Sequence, residues 1–174
     1  MVEFREAEEK DIEKIVQIYD DIHSAEENGL FEIGWVRYIY PVKATAEAAL
    51  SRGDLFVLED NGKICGSAVI NKIQAPEYRF GNWRFDVPDD CVTVLHTLVI
   101  SPKEAGKGYG KQFVAFYERF AESNNAPFLR IDTNEKNHRA RAMYKKLGYT
   151  EVGIVKCQFN GIKDIGLVLL EKCL

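Results

Sequence analysis

The residues with the clearest chemical potential lie in one loop, residues 101–111, where glycine occupies every second position of the core, at 106, 108 and 110. Glycine lets several backbone N–H groups converge on one point without obstruction by Cβ atoms. An amphipathic helix is predicted to follow, and the dipole and free amides of its N-terminus favour an anion. The loop therefore predicts a site for a phosphate-bearing ligand, with Lys107 and Lys111 adding positive charge, although an ordinary strand-to-helix turn could contain the same glycines.

Two better-known phosphate loops do not fit this segment. A Walker loop requires glycine where Ala105 stands and serine or threonine where Gln112 stands. A dinucleotide fingerprint counted from Gly106 would need glycine in place of Lys111, and counting from the next glycine fails as well. The loop therefore excludes the ordinary nucleotide triphosphatase and dinucleotide-binding classes.

Two side chains outside the loop could transfer protons. His96 lies within an apolar segment, and its imidazole titrates near neutral pH, so it could be a general base or a buried, hydrogen-bonded histidine. Tyr144 belongs to an apolar stripe on a predicted helix, so it could be a proton donor or a core tyrosine. The residue types alone leave both pairs of interpretations open.

Hydrophobic periodicity and turn signals predict the elements that would position these groups. A helix starting near Ile12 ends at residues 28–29, and residues 60–62 predict a β-hairpin. Apolar residues on both faces of residues 91–100 indicate a central strand, in which alternation puts His96 and Leu98 on the same face. The other predicted elements are strands 2–5, 55–58, 64–73, 128–132, 149–159 and 162–170, and helices 45–52, 113–120 and 137–147. Together they predict an α+β fold with a mixed, mostly antiparallel sheet.

The composition narrows the class of protein. A chain of 174 residues with one set of elements fits a single domain, residues 1–174. A net charge of −4 provides no basic surface for nucleic acid, and no apolar run is long enough for a membrane span, so we expect a cytoplasmic protein without nucleic-acid or membrane partners. The four cysteines lack the spacing of a metal site, so we expect reduced thiols and no metal.

Three segments, residues 98–102, 105–110 and 137–149, resemble in order and spacing the GNAT superfamily of acyl-CoA-dependent N-acyltransferases. The family's loop reads Q/R-x-x-G-x-G/A, which Gly108 and Gly110 match, while Ala105 replaces the leading Gln or Arg. The last segment, Asn-x-x-Ala-x-x-Met-Tyr-Lys-Lys-Leu-Gly-Tyr, is similar to the family's N-x-x-A-x-x-L-Y-E-K-L-G-F. The resemblance implies a sheet of six to seven strands, about four helices, and central parallel strands that splay apart at the cofactor.

The resemblance also implies the cofactor and the residues that hold it. Acetyl-CoA would act as the acetyl donor, its pyrophosphate on the loop amides and its pantetheine arm along the strand that contains Leu98, like an added strand. The residues implied as cofactor-binding are Leu98, Val99, Ile100, Ala105, Gly106, Lys107, Gly108, Tyr109, Gly110, Lys111, Asn137, Ala140, Tyr144 and Lys146.

The same resemblance assigns catalytic roles. Transfer of an acetyl group from a thioester to an amine requires a free amine, stabilisation of an oxyanion and a proton for the departing thiolate. The backbone N–H of Leu98 would stabilise the oxyanion, and Tyr144 would be the general acid. His96 stands where relatives often have a Glu or His base, with a water chain as the alternative.

The acceptor end has no identifiable substrate signature. Aromatic residues of two loops could form the walls of a pocket, and we expect Trp35, Tyr40, Trp83 and Phe85 to contact the substrate, with Glu32 or Asp86 pairing with a cationic amine. A small-molecule amine is the preferred acceptor and a protein N-terminus or lysine the second choice. A catalytically silent acyl-CoA-binding sensor is the alternative from another class, and the prediction leaves a homodimer open.

Overall fold

The computed structural model describes residues 1–174 and contains one mixed sheet of seven strands with four α-helices on its two faces. In chain order these are β1 (Val2–Glu6), α1 (Ile12–Glu27), α2 (Lys43–Arg52), β2 (Leu55–Asp60), β3 (Lys63–Asn71), β4 (Val92–Ile100), α3 (Tyr109–Ser123), β5 (Phe128–Asn134), α4 (His138–Lys146), β6 (Thr150–Phe159) and β7 (Ile162–Cys173). The predicted α+β class, the strand and helix numbers and the mostly antiparallel sheet are confirmed.

The sheet has a fork at its centre. Its strand order is β1-β2-β3-β4-β5-β7-β6, and β4 with β5 is the one parallel pair. Their pairing extends only from Val92 with Phe128 to Leu95 with Ile131, although β4 continues to Ile100. Beyond Leu95 the two strands therefore diverge, as predicted, and the edge of β4 that faces β5 has no strand beside it.

A bulge in β4 changes which residues share a face. Val69 of β3 pairs with His96 and Ser67 pairs with Val99, so two residues of β4 lie opposite one residue of β3, and Thr97 has a left-handed φ of 49°. An extra residue in a strand reverses the alternation of side chains beyond it. Leu98 consequently packs against the core cluster that contains Leu95, whereas His96 lies on the opposite face. The prediction that His96 and Leu98 share a face is wrong.

Two hydrophobic clusters hold the helices against opposite faces of the sheet. Helix α3 contributes Phe113 and Tyr117 to the larger cluster, and α1 contributes Ile15 to the other. The Tyr117 hydroxyl lies 2.6 Å from the carbonyl oxygen of Thr93 on β4 and 3.2 Å from that of Arg130 on β5. This side chain therefore bridges the parallel strands just before they diverge.

Candidate active site

The glycine-rich loop forms a cradle of free amides at the start of α3. Gly106 and Gly108 have left-handed φ values of 86° and 77°, a conformation that favours glycine, and Gly108 directly precedes the helix. None of the N–H groups of residues 106–111 donates a hydrogen bond within the protein. A Cβ atom built on Gly106 or Gly108 would meet no protein atom within 4 Å. Free donors that converge beside open space fit a pyrophosphate group.

A cavity of about 550 Å³, here called the cofactor cavity, extends from this cradle to the fork. The predicted cofactor-binding residues that line it are Leu98, Ile100, Ala105, Gly106, Gly108, Tyr109, Gly110, Lys111, Asn137, Ala140 and Tyr144. The cavity is also lined by two further cations, Lys136 and Arg139. Together with Lys111 they provide a positive rim for phosphate groups.

Three predicted cofactor residues do not line this cavity. Lys107 is held by the buried carboxylate of Glu104, with Nζ 2.5 Å from Oε2, and Lys63 pairs with the same carboxylate. Lys146 is exposed on α4 and lines neither this cavity nor the acceptor cavity described below. Val99 is buried in the cluster beneath α1, because the bulge puts its side chain on that face. The side chains of Val99, Lys107 and Lys146 therefore lie outside this cavity, while the backbone N–H of Lys107 remains part of the cradle.

The free edge of β4 can receive an extended ligand. The N–H of Ser101 donates to the carbonyl oxygen of Cys65 at 2.8 Å, and Val99 pairs with Ser67, so this set of backbone groups is directed to β3. Alternate residues of a strand direct their backbone groups to opposite sides. The backbone groups of Leu98 and Ile100 therefore face the opening of the fork, where an added strand-like ligand could bond them.

A second cavity of about 510 Å³, here called the acceptor cavity, lies on the other side of the fork. Residues common to both cavities are Phe31, Ile33, Leu98, Ile100, Asn137, Ala140 and Tyr144. Because these residues form a shared wall, a ligand along β4 and a ligand in the acceptor cavity would meet beside Tyr144.

Only two of the four predicted substrate residues reach the acceptor cavity. Trp35 and Tyr40 line it. Trp83 instead donates from Nε1 to the carbonyl oxygen of Tyr78 at 2.6 Å and stacks with Arg130, and the ring of Phe85 packs against Phe128 with centroids 5.4 Å apart. The second aromatic loop therefore covers the outer part of the sheet, which corrects the expectation for Trp83 and Phe85.

The hydroxyl of Tyr144 is available at the junction of the two cavities. The side chain is buried, and its hydroxyl makes no hydrogen bond within the protein. Burial raises the pKa of Tyr144, and the charge of Asp132 raises it further. The phenol therefore stays protonated at neutral pH, as a proton donor must.

His96 lines the acceptor cavity in a defined tautomer. Its Nε2 lies 3.1 Å from Oδ1 of Asn71 and 3.2 Å from the carbonyl oxygen of Ile73. The Asn71 amide is oriented in turn, because its Nδ2 donates to Asp54 and its Oδ1 accepts from the N–H of Ile73. Two acceptors require a proton on Nε2, which leaves Nδ1 as an acceptor. Burial lowers the pKa of His96 to about 4, so the ring is neutral at physiological pH.

Asp132 is a titratable residue of the acceptor cavity that the sequence analysis missed. It follows the last residue of β5 that pairs with β4 and accepts a hydrogen bond of 2.7 Å from the Tyr78 hydroxyl. Burial raises the pKa of Asp132 to about 6. The available signal was a carboxylate at the last residue of the predicted strand 128–132. The acids expected to meet an amine lie elsewhere, Glu32 beside the cofactor cavity and Asp86 exposed outside both cavities.

Two segments that are distant in the chain approach each other beside the acceptor cavity. A Cβ atom built on Gly161, at the tip of the β6–β7 hairpin, would lie 3.0 Å from Cγ2 of Ile39 in the loop between α1 and α2. The same loop is fixed to the sheet by a hydrogen bond between the hydroxyls of Tyr40 and Thr97. Asn160 and Tyr40, which neighbour these two residues, line the cavity, so the hairpin and the loop meet at its edge, a contact called here the Gly161–Ile39 roof.

We also looked for membrane-spanning helices and for groups of metal ligands in the structure. None of the four helices combines the length and apolar character that crossing a bilayer requires. The structure also contains no group of three or more His, Cys, Asp or Glu side chains placed to hold a metal ion.

The fork, the amide cradle and the two joined cavities belong to a mixed α+β fold, and comparison with known proteins gives the family. Residues 12–149 match the family model of the acetyltransferase (GNAT) family, so the chain belongs to this family. Its members generally use acetyl-CoA. The chain is 30% identical over 113 residues to the 5-NmdU N-acetyltransferase of Pseudomonas phage PaMx11, an alignment that covers 64% of this chain and 68% of that protein.

Solved structures show the same fold at lower identity. A GNAT-family acetyltransferase from Streptococcus agalactiae is 21% identical with a TM-score of 0.82, and the match covers 99% of this chain and 95% of that one. A GNAT-family acetyltransferase from Listeria monocytogenes is 23% identical with a TM-score of 0.76 over the same shares of the two chains. These similarities concern the fold alone.

Proposed function

We propose that residues 1–174 act as one N-acetyltransferase domain that moves the acetyl group of acetyl-CoA to a primary amine of a small molecule. The observation that carries this proposal is the meeting of the cofactor cavity and the acceptor cavity at Tyr144. Membership of the GNAT family and the phage relative, itself named as an N-acetyltransferase, support the reaction type.

Acetyl-CoA would supply the acetyl group as a thioester. The amides of residues 106–111 would bind its pyrophosphate, since they have no acceptor within the protein. Leu98 and Ile100 would bond the extended arm through their backbone groups, and Ala140 would pack against it from α4. The reacting carbonyl would then lie at the fork, between the two cavities.

Two groups of the chain would stabilise the reaction there. The backbone N–H of Leu98, at the free edge of β4, would donate to the oxyanion that forms on the acetyl carbonyl. The Tyr144 hydroxyl would donate its proton to the departing sulfur, and its raised pKa keeps that proton available throughout the physiological range. Both groups are held by packed elements, so little reorganisation is needed.

His96 would accept the proton of the amine through Nδ1, directly or through water. Its low pKa makes the ring a weak base, so it would act by orienting water and taking protons transiently. Alignment of amine and thioester at the fork would then supply much of the acceleration.

A small acceptor agrees with the size of the acceptor cavity. The Gly161–Ile39 roof and the hydrogen bond between the hydroxyls of Tyr40 and Thr97 would limit the space at one edge of the cavity. The acceptor volume of about 510 Å³ suits a molecule of drug size or smaller.

The direct test is incubation of the protein with acetyl-CoA and a panel of small amines, peptides and one lysine-rich protein, with release of free thiol as the readout. Small primary amines should accelerate thiol release, and mass spectrometry should find an added acetyl group on the amine. Acceleration by peptides alone would identify a peptide acetyltransferase. Tight acetyl-CoA binding without acceleration by any acceptor would identify a silent sensor.

A further inference from the structure

The acceptor cavity contains a carboxylate without a cation. Asp132 accepts a hydrogen bond from Tyr78 but takes part in no salt bridge. The one basic side chain that lines the cavity, Arg52, is committed to Asp54, with Nε 2.8 Å from Oδ2. Arg130, on the same strand, stacks its guanidinium 4.2 Å from the Trp83 ring centroid and donates to Gln74. No protein cation therefore compensates the charge of Asp132.

A second carboxylate adds to the negative charge of this wall. Glu77 precedes Tyr78 in a short 3₁₀ turn, takes part in no salt bridge, and has one carboxylate oxygen that is buried without a hydrogen-bond partner. Burial is the main cause that raises the pKa of Asp132, and the charge of Glu77 raises it further, whereas the hydrogen bond from Tyr78 lowers it. Two nearby acids with no opposing charge are unfavourable in the free protein unless a cation joins them.

The rest of the acceptor cavity is mainly apolar. Phe31, Ile33 and Trp35 line it from the loop after α1, and Phe159 and Ile162 line it from the β6–β7 hairpin. His96 is neutral at physiological pH and so adds no charge. A ligand complementary to this cavity has one positive group for the carboxylate and a hydrocarbon or aromatic body for the apolar lining.

We propose that Asp132 binds the ammonium group of the acceptor, and that the acceptor is therefore a cationic primary amine attached to an apolar body. This inference rests on the proposed function and names its substrate class. The Tyr78 hydroxyl holds the carboxylate in place, and the ammonium forms an ion pair with it before His96 or water removes a proton. Asp132 lies near enough to Tyr144 for its charge to act on the phenol, so the bound amine is also close to the junction where the acetyl group arrives.

The test compares Asp132→Asn with Asp86→Asn, which makes the same change in charge at an exposed site outside both cavities. Two acceptors that share a phenyl ring serve as probes, phenethylamine, which is cationic at neutral pH, and aniline, which is neutral and has its nitrogen directly on the ring. A charged hydrogen bond contributes about 1.5–3 kcal/mol, so Asp132→Asn should raise KM for phenethylamine about 10- to 100-fold with a smaller effect on kcat. KM for aniline should change less than threefold, and Asp86→Asn should leave both KM values unchanged.

A binding measurement keeps this inference separate from the proposed function. Thermal shift of the protein saturated with CoA should show stabilisation by phenethylamine in the wild type and in Asp86→Asn, and little in Asp132→Asn. If the wild type binds phenethylamine through Asp132 but acetylates no amine, the proposed function fails and the ammonium site stands. Equal binding or equal KM for phenethylamine in wild type and Asp132→Asn would overturn the site, as would equal losses for phenethylamine and aniline.

A second variant makes the test independent of any change that Asp132→Asn causes at the site itself. Glu77→Gln removes the neighbouring charge without touching the cavity lining. It should weaken phenethylamine binding by a smaller factor, about two- to fivefold, and leave aniline unaffected. An unchanged affinity for phenethylamine in Glu77→Gln would count against the inference.

Discussion

The hydroxyl of Tyr40 hydrogen-bonds the hydroxyl of Thr97, and so ties the loop that roofs the acceptor cavity to the bulge that exposes the backbone of Leu98. Thr97 is a β-branched residue with a left-handed φ of 49°, a conformation that needs support from its surroundings. Tyr40 is therefore placed to hold the backbone of Leu98, the proposed oxyanion donor, through Thr97.

Tyr40→Phe should lower kcat about fivefold, because loss of a hydrogen bond of about 1 kcal/mol lets Thr97 relax and turns the N–H of Leu98 out of position. Acetyl-CoA affinity should change less than twofold. Steady-state kinetics and a binding titration check this. Tyr38→Phe, at an exposed tyrosine of the same loop, is the control and should behave as wild type. A loss in acetyl-CoA affinity equal to the loss in kcat would argue for general loosening instead.

Gly108→Glu should abolish measurable acetyl-CoA binding while the protein still folds. The new side chain meets no protein atom, but it would occupy the space of a phosphate and repel its charge. Gly53→Glu is a matched control, because Gly53 also has a left-handed φ, of 75°, and open space around it, but lies at the end of α2. Calorimetric titration should give wild-type affinity for the control. Normal affinity in a folded Gly108→Glu would move the cofactor away from the cradle.

Tyr144→Phe should reduce kcat by about 10²- to 10⁴-fold, the usual contribution of a general acid, with acetyl-CoA affinity nearly unchanged. The ring stays packed because only the hydroxyl is removed. Tyr149→Phe is the control, since Tyr149 packs beside Tyr144 with ring centroids 5.7 Å apart but lines neither cavity. Pre-steady-state measurements should separate chemistry from product release. Wild-type chemistry in Tyr144→Phe would make this tyrosine a packing residue.

His96→Gln should show a rate deficit that is largest near neutral pH and shrinks at high pH, where the free acceptor amine is already deprotonated. Because the pKa of His96 is lowered to about 4, the wild-type rate should show no ionisation of this ring near pH 6.5. The pH dependence of kcat/KM for both proteins tests this. A deficit that is independent of pH would leave water alone as the base.

Asp132→Asn should stabilise the protein at pH 8. The pKa of Asp132 is raised to about 6 from an ordinary 3.8, so the folded state binds more protons than the unfolded state between these values, and stability falls as pH rises through them. Allowing for partial exposure, removal of the charge should gain about 1–2 kcal/mol, or a few degrees in Tm. The difference should vanish below about pH 4. Thermal unfolding at several pH values checks this, and a destabilised variant at pH 8 would contradict it.

In the wild type, the pH dependence of unfolding that Asp132 causes should be partly cancelled, because His96 changes the free energy of unfolding with pH in the opposite direction. The pKa of His96 is lowered to about 4, so its contribution to stability is complete above its ordinary value of 6.5 and is lost as pH falls toward 4. As pH falls through nearly the same window, protonation of Asp132 in the folded state stabilises the protein. Acid unfolding of the two single variants should therefore diverge from wild type with opposite signs.

The sequence predicted the parts of the site that depend on local chemistry. Glycines at left-handed positions mark the cradle, and residues 60–62 and 160–161 mark hairpins, because these backbone shapes restrict the residue type directly. The position of Tyr144 on a helix followed from the apolar stripe of residues 137–147, which ends at a glycine. These features need no knowledge of distant contacts.

The rest of the site depends on contacts between distant segments. The bulge at Thr97 contains no glycine, so nothing in residues 91–100 marks the change of face that separates His96 from Leu98. Trp83 resembles a pocket aromatic in type, but its loop folds over Arg130 and the outer sheet. Burial is the main cause of the raised pKa of Asp132, and the charge of Glu77 adds to it, neither of which is visible in the sequence of β5.

The Gly161–Ile39 roof joins two segments that are far apart in the chain, and neither Gly161 nor Ile39 lines the cavity beside the amide cradle. Substitutions at the β6–β7 turn and around Ile39 can therefore change the acceptor side while residues 106–111 stay the same. Among relatives of this chain, the preferred amine should consequently vary with the β6–β7 turn and the loop after α1, even where the glycine loop and α4 are identical. An exchange of the two segments together should transfer acceptor preference more completely than an exchange of one, because the roof is complete only when both match.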